Sequence, residues 1–259
     1  MNGDVAATLA ALPGFAFTCA LILARTGGAI MLLPGLGDES LPAMVRAGIA
    51  LSLTVLLVPV IAPLTPPVPG DALHVAAMVG AEIVTGLWLG WLARLLVQAL
   101  PIAGQIISHF LGISNVLQPD PTIGAEATAV TRLFSLLATL AILLSGLWAM
   151  PVAAVAASFR VIPLGTFLPP GDTAQTVLQA VTKMFGLALR LSSPFIVANT
   201  VWHVALGLIS RLAPRVQIYF VAMPGQILGG LVLLGVLAAA LLEVWEEALR
   251  DGYSHLPGL

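Results

Sequence analysis

The residues with the most chemistry to do are charges set inside apolar sequence. Arg25 follows an uncharged run over residues 5–24 and precedes a shorter one over 26–37. An unpaired arginine at a bilayer centre costs about 2.5 kcal/mol or more, so a guanidinium there must be paired, face a pore, or snorkel from near a helix end. Glu82 and Arg94 raise the same demand within one apolar segment. At 1.5 Å per residue they lie about 18 Å apart along a helix, too far to pair with each other, so each has to face another helix or another subunit. The other reactive residue types are sparse. His74, His109, His203 and His255 lack metal-motif spacing, and a lone histidine on an apolar helix reads as a hydrogen-bonded packing residue. Cys19 is the single cysteine, which excludes an internal disulfide and a cysteine-based zinc site and leaves a small buried hydrophobe. The chain has no His-Glu-x-x-His, no phosphate-binding loop and no Gly-x-Ser-x-Gly elbow. The sequence therefore offers no catalytic residue, no cofactor site and no metal site.

The elements that position these charges follow from composition. Hydrophobic residues make up 59% of the chain and charged residues 8%, against roughly a quarter charged in an ordinary soluble domain. So few charges cannot coat a water-soluble surface. Further uncharged runs cover residues 47–70, 95–119, 133–159, 191–210 and 216–242. About 20 apolar residues cross a bilayer as helix, and these runs lack the polar–apolar alternation of barrel strands. The expectation is an all-α, membrane-associated fold. A net charge of -2, with ten Lys and Arg scattered singly, excludes a nucleic-acid surface and a polybasic lipid-binding arm. The same dispersion gives no loop bias from which to read orientation. No Lys or Arg precedes Arg25, so the basic region of a cleaved signal peptide is missing and the first apolar run is expected to stay.

Helices are predicted at about 8–33, 41–63, 72–101, 102–113, 126–149, 150–161, 173–212 and 214–249. Pro34-Gly35-Leu36-Gly37 stops the first, and Asp38, Glu39 and Ser40 offer capping groups to the next near Leu41-Pro42. Proline-rich breaks follow at 63–70, 119–124 and 169–172, and Pro214 and Pro224 mark a turn and then a kink. The stretch 173–212 is too long for one upright span; Pro194 and Gly207 are places to bend, and Ser192 and Ser193 can satisfy backbone groups that the proline frees. Gly86 and Gly90, like Gly225 and Gly229, stand four apart and leave a bare helical face for close packing. Arg25, Glu82 and the Pro214–Pro224 break also allow the alternative of a small-solute permease.

Four stretches, in order, resemble the FliR family, whose injectisome relatives are the SctT-type proteins. The first holds Arg25, Met31-Leu-Leu-Pro34-Gly-Leu-Gly37 and the helix start Leu41-Pro42-Ala-Met-Val-Arg46. The second is Ala103-Gly104-Gln-Ile-Ile through Gly112, then Gln118-Pro-Asp120-Pro-Thr-Ile-Gly124. The third is Ser158-Phe-Arg-Val-Ile-Pro163-Leu-Gly165, and the fourth and most specific runs from Ala205 through Gly207, Arg211 and Pro214 to Tyr219, ending at Met223-Pro224. Together they cover most of the chain from about residue 20 to 245. Where the family usually reads Pro-Gln-x-Asn, this chain has Arg215 and Gln217, which adds a cation there.

The resemblance implies one FliR-like export-gate domain over 1–259, built of helical hairpins of long, kinked apolar helices. Such a subunit packs with several FliP-like and a few FliQ-like subunits, near FlhB-like and FlhA-like components, in the bacterial inner membrane at the flagellar basal body. It forms part of a channel for unfolded protein substrates. The segment His109 to Gly124 corresponds to a loop that helps to plug the pore, and Gly112, Ser114, Asn115, Gln118, Pro119, Asp120, Pro121 and Gly124 make it mobile and nearly uncharged. Assembly and packing fall to Arg25, Pro34, Pro42, Arg46, Glu82, Gly86, Gly90, Pro163, Gly207, Arg211, Pro214 and Pro224. In that setting Arg25, Arg46, Glu82, Arg94 and Arg211 find partners across subunit interfaces.

Overall fold

The computed structural model describes residues 2–38, 41–113, 128–212 and 218–258. They form eight α-helices with no strand among the described residues: α1 (Asn2–Leu32), α2 (Ala43–Ile61), α3 (Ala72–Val97), α4 (Ala99–Leu111), α5 (Ala129–Ser145), α6 (Ala149–Val161), α7 (Pro170–Leu212) and α8 (Ile218–Ser254). Each answers to one predicted helix, and the differences lie at the ends. The break between α3 and α4 falls at Gln98, not after Pro101, because a proline lacks only an N–H that the first helical turn leaves unpaired anyway. α5 stops at Ser145, short of 149, because Gly146 takes a left-handed φ of 73° and turns the chain sharply into α6. Pro42 occupies the cap position of α2 with no side-chain hydrogen bond of its own, and Glu39 and Ser40, two of the expected capping groups, lie outside the described residues.

Among the described residues, five helical stretches have the length and apolarity to cross a membrane: Ala11–Leu32, Ala43–Leu64, Ala72–Leu111, Pro170–Leu212 and Ala222–Ser254. The bent pair of α5 and α6 passes the same test jointly.

The chain divides into two compact units. The first comprises Met1–Leu95, Ile142–Ala180 and Asp251–Leu259. Its apolar core joins Phe17, Leu21 and Ile22 of α1 to Val58 and Ile61 of α2, Met78 of α3, and Phe159 and Leu164. Residues 17, 21 and 22 share one face of a 3.6-residue helix, which is why α1 buries them together. The Thr26 and Thr54 hydroxyls meet at 2.9 Å between α1 and α2. α1 and α3 approach until backbone touches backbone: a Cβ on Gly86 would strike the Arg25 carbonyl, one on Gly90 would come to 2.5 Å from the Ala29 carbonyl, and one on Gly28 to 2.8 Å from the Ile83 carbonyl. Only glycine fits at such a crossing. At the far end of the sequence, Gly258 (φ 107°) lies against the Ser158 amide and the Ala154 carbonyl of α6.

The second unit comprises Leu96–Ala141 and Val181–Arg250. Gly104 of α4 accepts Phe134 and Thr131 of α5 at close range, and a chain of hydroxyls runs from Ser108 to Thr128 (2.6 Å), Thr131 (2.8 Å) and the Gln105 amide oxygen (2.8 Å). Leu111 seats itself over Gly230 of α8. α7 runs unbroken past Pro194. The Ser193 hydroxyl donates to the Arg190 carbonyl at 2.8 Å, the carbonyl that Pro194, having no N–H, leaves without its helical partner.

Candidate functional site

The chemistry of the first unit gathers at one buried point. α1 delivers Arg25 and α3 delivers Glu82, both with no solvent exposure, and the glycine crossing brings them into a bidentate pair: Nε to Oε2 at 2.6 Å and Nη2 to Oε1 at 3.0 Å. Fork-to-fork geometry of this kind is the strongest form an arginine–carboxylate bond takes. The end of α6 supplies the rest. Arg25 Nη1 donates to the Ser158 hydroxyl at 3.3 Å, Nη2 to the Ile162 carbonyl at 3.1 Å, and the guanidinium carbon lies 4.2 Å above the centre of the Phe159 ring. Glu82 Oε1 also accepts the backbone N–H of Gly165 at 2.7 Å, and Gly165 makes the left-handed turn (φ 75°) that brings the chain back after Pro163. Each of the three guanidinium nitrogens and both carboxylate oxygens thus has a partner. A charged pair is tolerated in a low-dielectric interior only when its hydrogen-bonding capacity is used in this way. The cluster can fasten α1, α3 and the α6 end together. It exposes no nucleophile and no free acid or base.

Arg25 and Glu82 therefore satisfy each other within one chain and need no second subunit. Sequence reasoning singled out both residues without pairing them, because a separation of 57 positions hides the contact. It also missed Phe159 and Gly165 as members of the cluster and Gly28 as part of the crossing. A stretch that mixes Ser, Phe, Pro and Gly at the end of a short helix was the available signal. Arg46, Arg94 and Arg211 behave differently: among the described residues none forms an ion pair, and the Arg46 Nε is buried without a partner. Pro34 sits in the turn after α1, where Gly35 (φ 79°) rests against Leu143, and Pro42 caps α2. Gly207 and Pro224 lie inside α7 and α8, and Gly207 has open space where a side chain would stand. Gly112 closes α4 in a left-handed cap (φ 74°). Ser114, Asn115, Gln118, Pro119, Asp120, Pro121, Gly124 and Pro214 lie outside the described residues. Among the described residues no group of His, Cys, Asp and Glu is placed to hold a metal ion.

The sequence matches the family model described as bacterial export proteins, family 1, over residues 16–252. The chain belongs to that family. Flagellar biosynthetic protein FliR of Caulobacter vibrioides is 32% identical over 235 residues, covering 91% of this chain and 94% of that protein. FliR of Bacillus subtilis is 26% identical over 227 residues, with 86% and 87% covered. Yop proteins translocation protein T of Yersinia pestis is 25% identical over 210 residues, with 80% of each chain covered. As a bacterial export protein of family 1, the chain is an all-α membrane protein of an export apparatus and no enzyme, and membership implies association with other components of that apparatus.

Proposed function

We propose that this chain is a structural subunit of the type III secretion export gate, forming with FliP-like and FliQ-like subunits the channel that passes unfolded flagellar proteins across the inner membrane. The observation that carries the reading is the family match along residues 16–252, with flagellar and Yop-translocation relatives both aligning over most of the chain. The higher identity to a flagellar relative favours the flagellar system and a place at the basal body. The helices support it: α7 and α8 are apolar along lengths that their own chain leaves almost bare, as subunits of an assembly require. A small-solute permease loses the part of its motivation that rested on Arg25 and Glu82, since these are buried and committed to each other. FlhB-like and FlhA-like components belong to the same apparatus in this reading, and residues 109–124 serve as the pore plug.

Purified from its own host in mild detergent, the tagged chain is expected to bring down FliP-like and FliQ-like proteins in fixed proportion. A chain that comes out alone from cells that assemble flagella would refute the reading. Deleting residues 115–122 is expected to leave that complex intact while making it leak ions in a planar bilayer. Unchanged conductance would remove the plug assignment.

A further inference from the structure

Residues Asp251–Leu259 belong to the first unit, although α8 up to Arg250 belongs to the second. This stretch has two sides. Asp251, Ser254 and His255 are exposed, while Gly252, Tyr253 and Leu256 are buried, Tyr253 completely. The outer side bonds within itself: the His255 ring meets the Asp251 carbonyl at 2.8 Å and the Ser254 hydroxyl at 3.2 Å. After Tyr253 the chain turns, the Leu256 N–H donating to the Tyr253 carbonyl at 3.1 Å, and Gly258, at a left-handed φ of 107°, comes down on α6. A Cβ built on Gly258 would stand 2.9 Å from the Ser158 amide nitrogen and 3.0 Å from the Ala154 carbonyl oxygen. Backbone thus lies on backbone, and only glycine meets both the φ and the space.

What lies beneath this contact gives it weight. The Ser158 amide faces Gly258, the Ser158 hydroxyl accepts Arg25 Nη1 at 3.3 Å, and the Ser158 carbonyl accepts the N–H of Ile162 at 2.8 Å, whose own carbonyl accepts Arg25 Nη2 at 3.1 Å. Lifting Gly258 away frees the turn that holds two acceptors of a buried guanidinium, and buried donors left unpaired are costly. The docked segment and the ion-pair cluster therefore favour each other. One group opposes docking. The Tyr253 hydroxyl is buried with no hydrogen-bond partner among the described residues, whereas water would supply one if the segment lifted. Apolar burial of Tyr253 and Leu256 draws the segment down, and the orphaned hydroxyl favours its release.

We propose that residues 252–258 form a releasable strap. Docked, it clamps the last turn of α6 and keeps the acceptors of Arg25 in place; released, it loosens that turn, so a displacement of the end of α8 is passed along the chain to the buried Arg25–Glu82 pair.

The test uses the full chain purified from its host in mild detergent. Chymotrypsin cuts after residue 253 once the strap is free, releasing the peptide 254–259, which mass spectrometry counts. Each rate is divided by that of the matching free peptide, and cuts between residues 181 and 212 report general loosening. The cutting rate follows the released fraction where opening and closing are fast. Gly258→Val, which suits neither the φ nor the space, is expected to raise the rate at least tenfold. Tyr253→Phe, which removes the orphaned hydroxyl and remains a chymotrypsin site, is expected to lower it at least threefold. Ser158→Ala, which takes an acceptor from Arg25, is expected to raise it at least threefold with the cuts between 181 and 212 unchanged. A rate that Gly258→Val leaves at the parent value, or that Tyr253→Phe fails to lower, overturns the strap. A Ser158→Ala chain cut after residue 253 at the parent rate, or cut faster in both places alike, overturns the link to the ion pair. If Gly258→Val does not accumulate, the other two variants decide.

Discussion

In the first unit a guanidinium and a carboxylate are fully buried and spend their hydrogen-bonding capacity on each other and on the end of α6, whereas in the second unit two amides on α7 and α8, Asn199 and Gln226, bond each other and have a donor and an acceptor unused among the described residues. The apolar surface divides less cleanly. Half of the α1 span is buried inside the chain, against 22% for the α2 span of the same unit and 11% for each of the spans of α7 and α8. The fully buried charges of the first unit are satisfied by its own sequence, while α2 of that unit, like α7 and α8, leaves most of its apolar length exposed. The polar residues therefore tell the two units apart more sharply than hydropathy does.

The largest effect should come from breaking the ion pair of the first unit. Glu82→Ala leaves Arg25 buried without its counter-ion, a loss of about 3–5 kcal/mol, and membrane levels of the protein measured by immunoblot should fall to a small fraction of normal. The double change Arg25→Met with Glu82→Leu removes both charges and should restore much of that level; a double variant as poor as the single one would show that the pair does more than neutralise itself. Next is the glycine crossing. Gly86→Ala pushes a methyl into the Arg25 carbonyl and should cost about 1–3 kcal/mol, read as a lowered thermal midpoint in detergent. Gly80→Ala in the same helix, where a side chain meets open space, should leave the midpoint unchanged or raise it. Equal midpoints for the two variants would mean that the α1–α3 approach is loose and the first unit less rigid than described. The smallest effect concerns α7. Ser193→Ala removes the hydrogen bond to the Arg190 carbonyl beside Pro194 and should cost about 0.6 kcal/mol, the average for such bonds in a membrane. A drop in protein level as large as that of Glu82→Ala would give this α7 bond the weight of the ion pair and erase the contrast.

The sequence made the helices legible because proline and glycine punctuate long uncharged runs, and the physics of both is local. It made the ends less legible where a proline is tolerated inside a first turn, as Pro101 is in α4, or where one glycine takes a left-handed turn, as Gly146 does after α5. Arg25 and Glu82 stood out for their cost, but their pairing depends on a crossing set by Gly28, Gly86 and Gly90, and no local rule connects residues 57 apart. The Asn199–Gln226 pair was invisible for another reason. A neutral amide in an apolar run carries little signal until its neighbour across the helix pair is known. The family resemblance rested on short motifs spread along the chain, and two of these, Arg25 and Ser158 to Gly165, turn out to be the two sides of one buried cluster.

The separation of the cluster's parts along the chain also sets a timetable. Translation at about 5–20 residues per second delivers Glu82 roughly 3–11 s after Arg25, and the α6 partners later still, 133 and 137 residues downstream. During that interval the nascent first helix carries a cation with no counter-ion, too costly to leave at the bilayer centre. The ribosome-bound intermediate is thus expected to hold α1 at the interface or inside the insertion machinery until α3 arrives. Synthesis rate, and a pause between α1 and α3 in particular, then becomes a determinant of how much of this protein reaches its folded state.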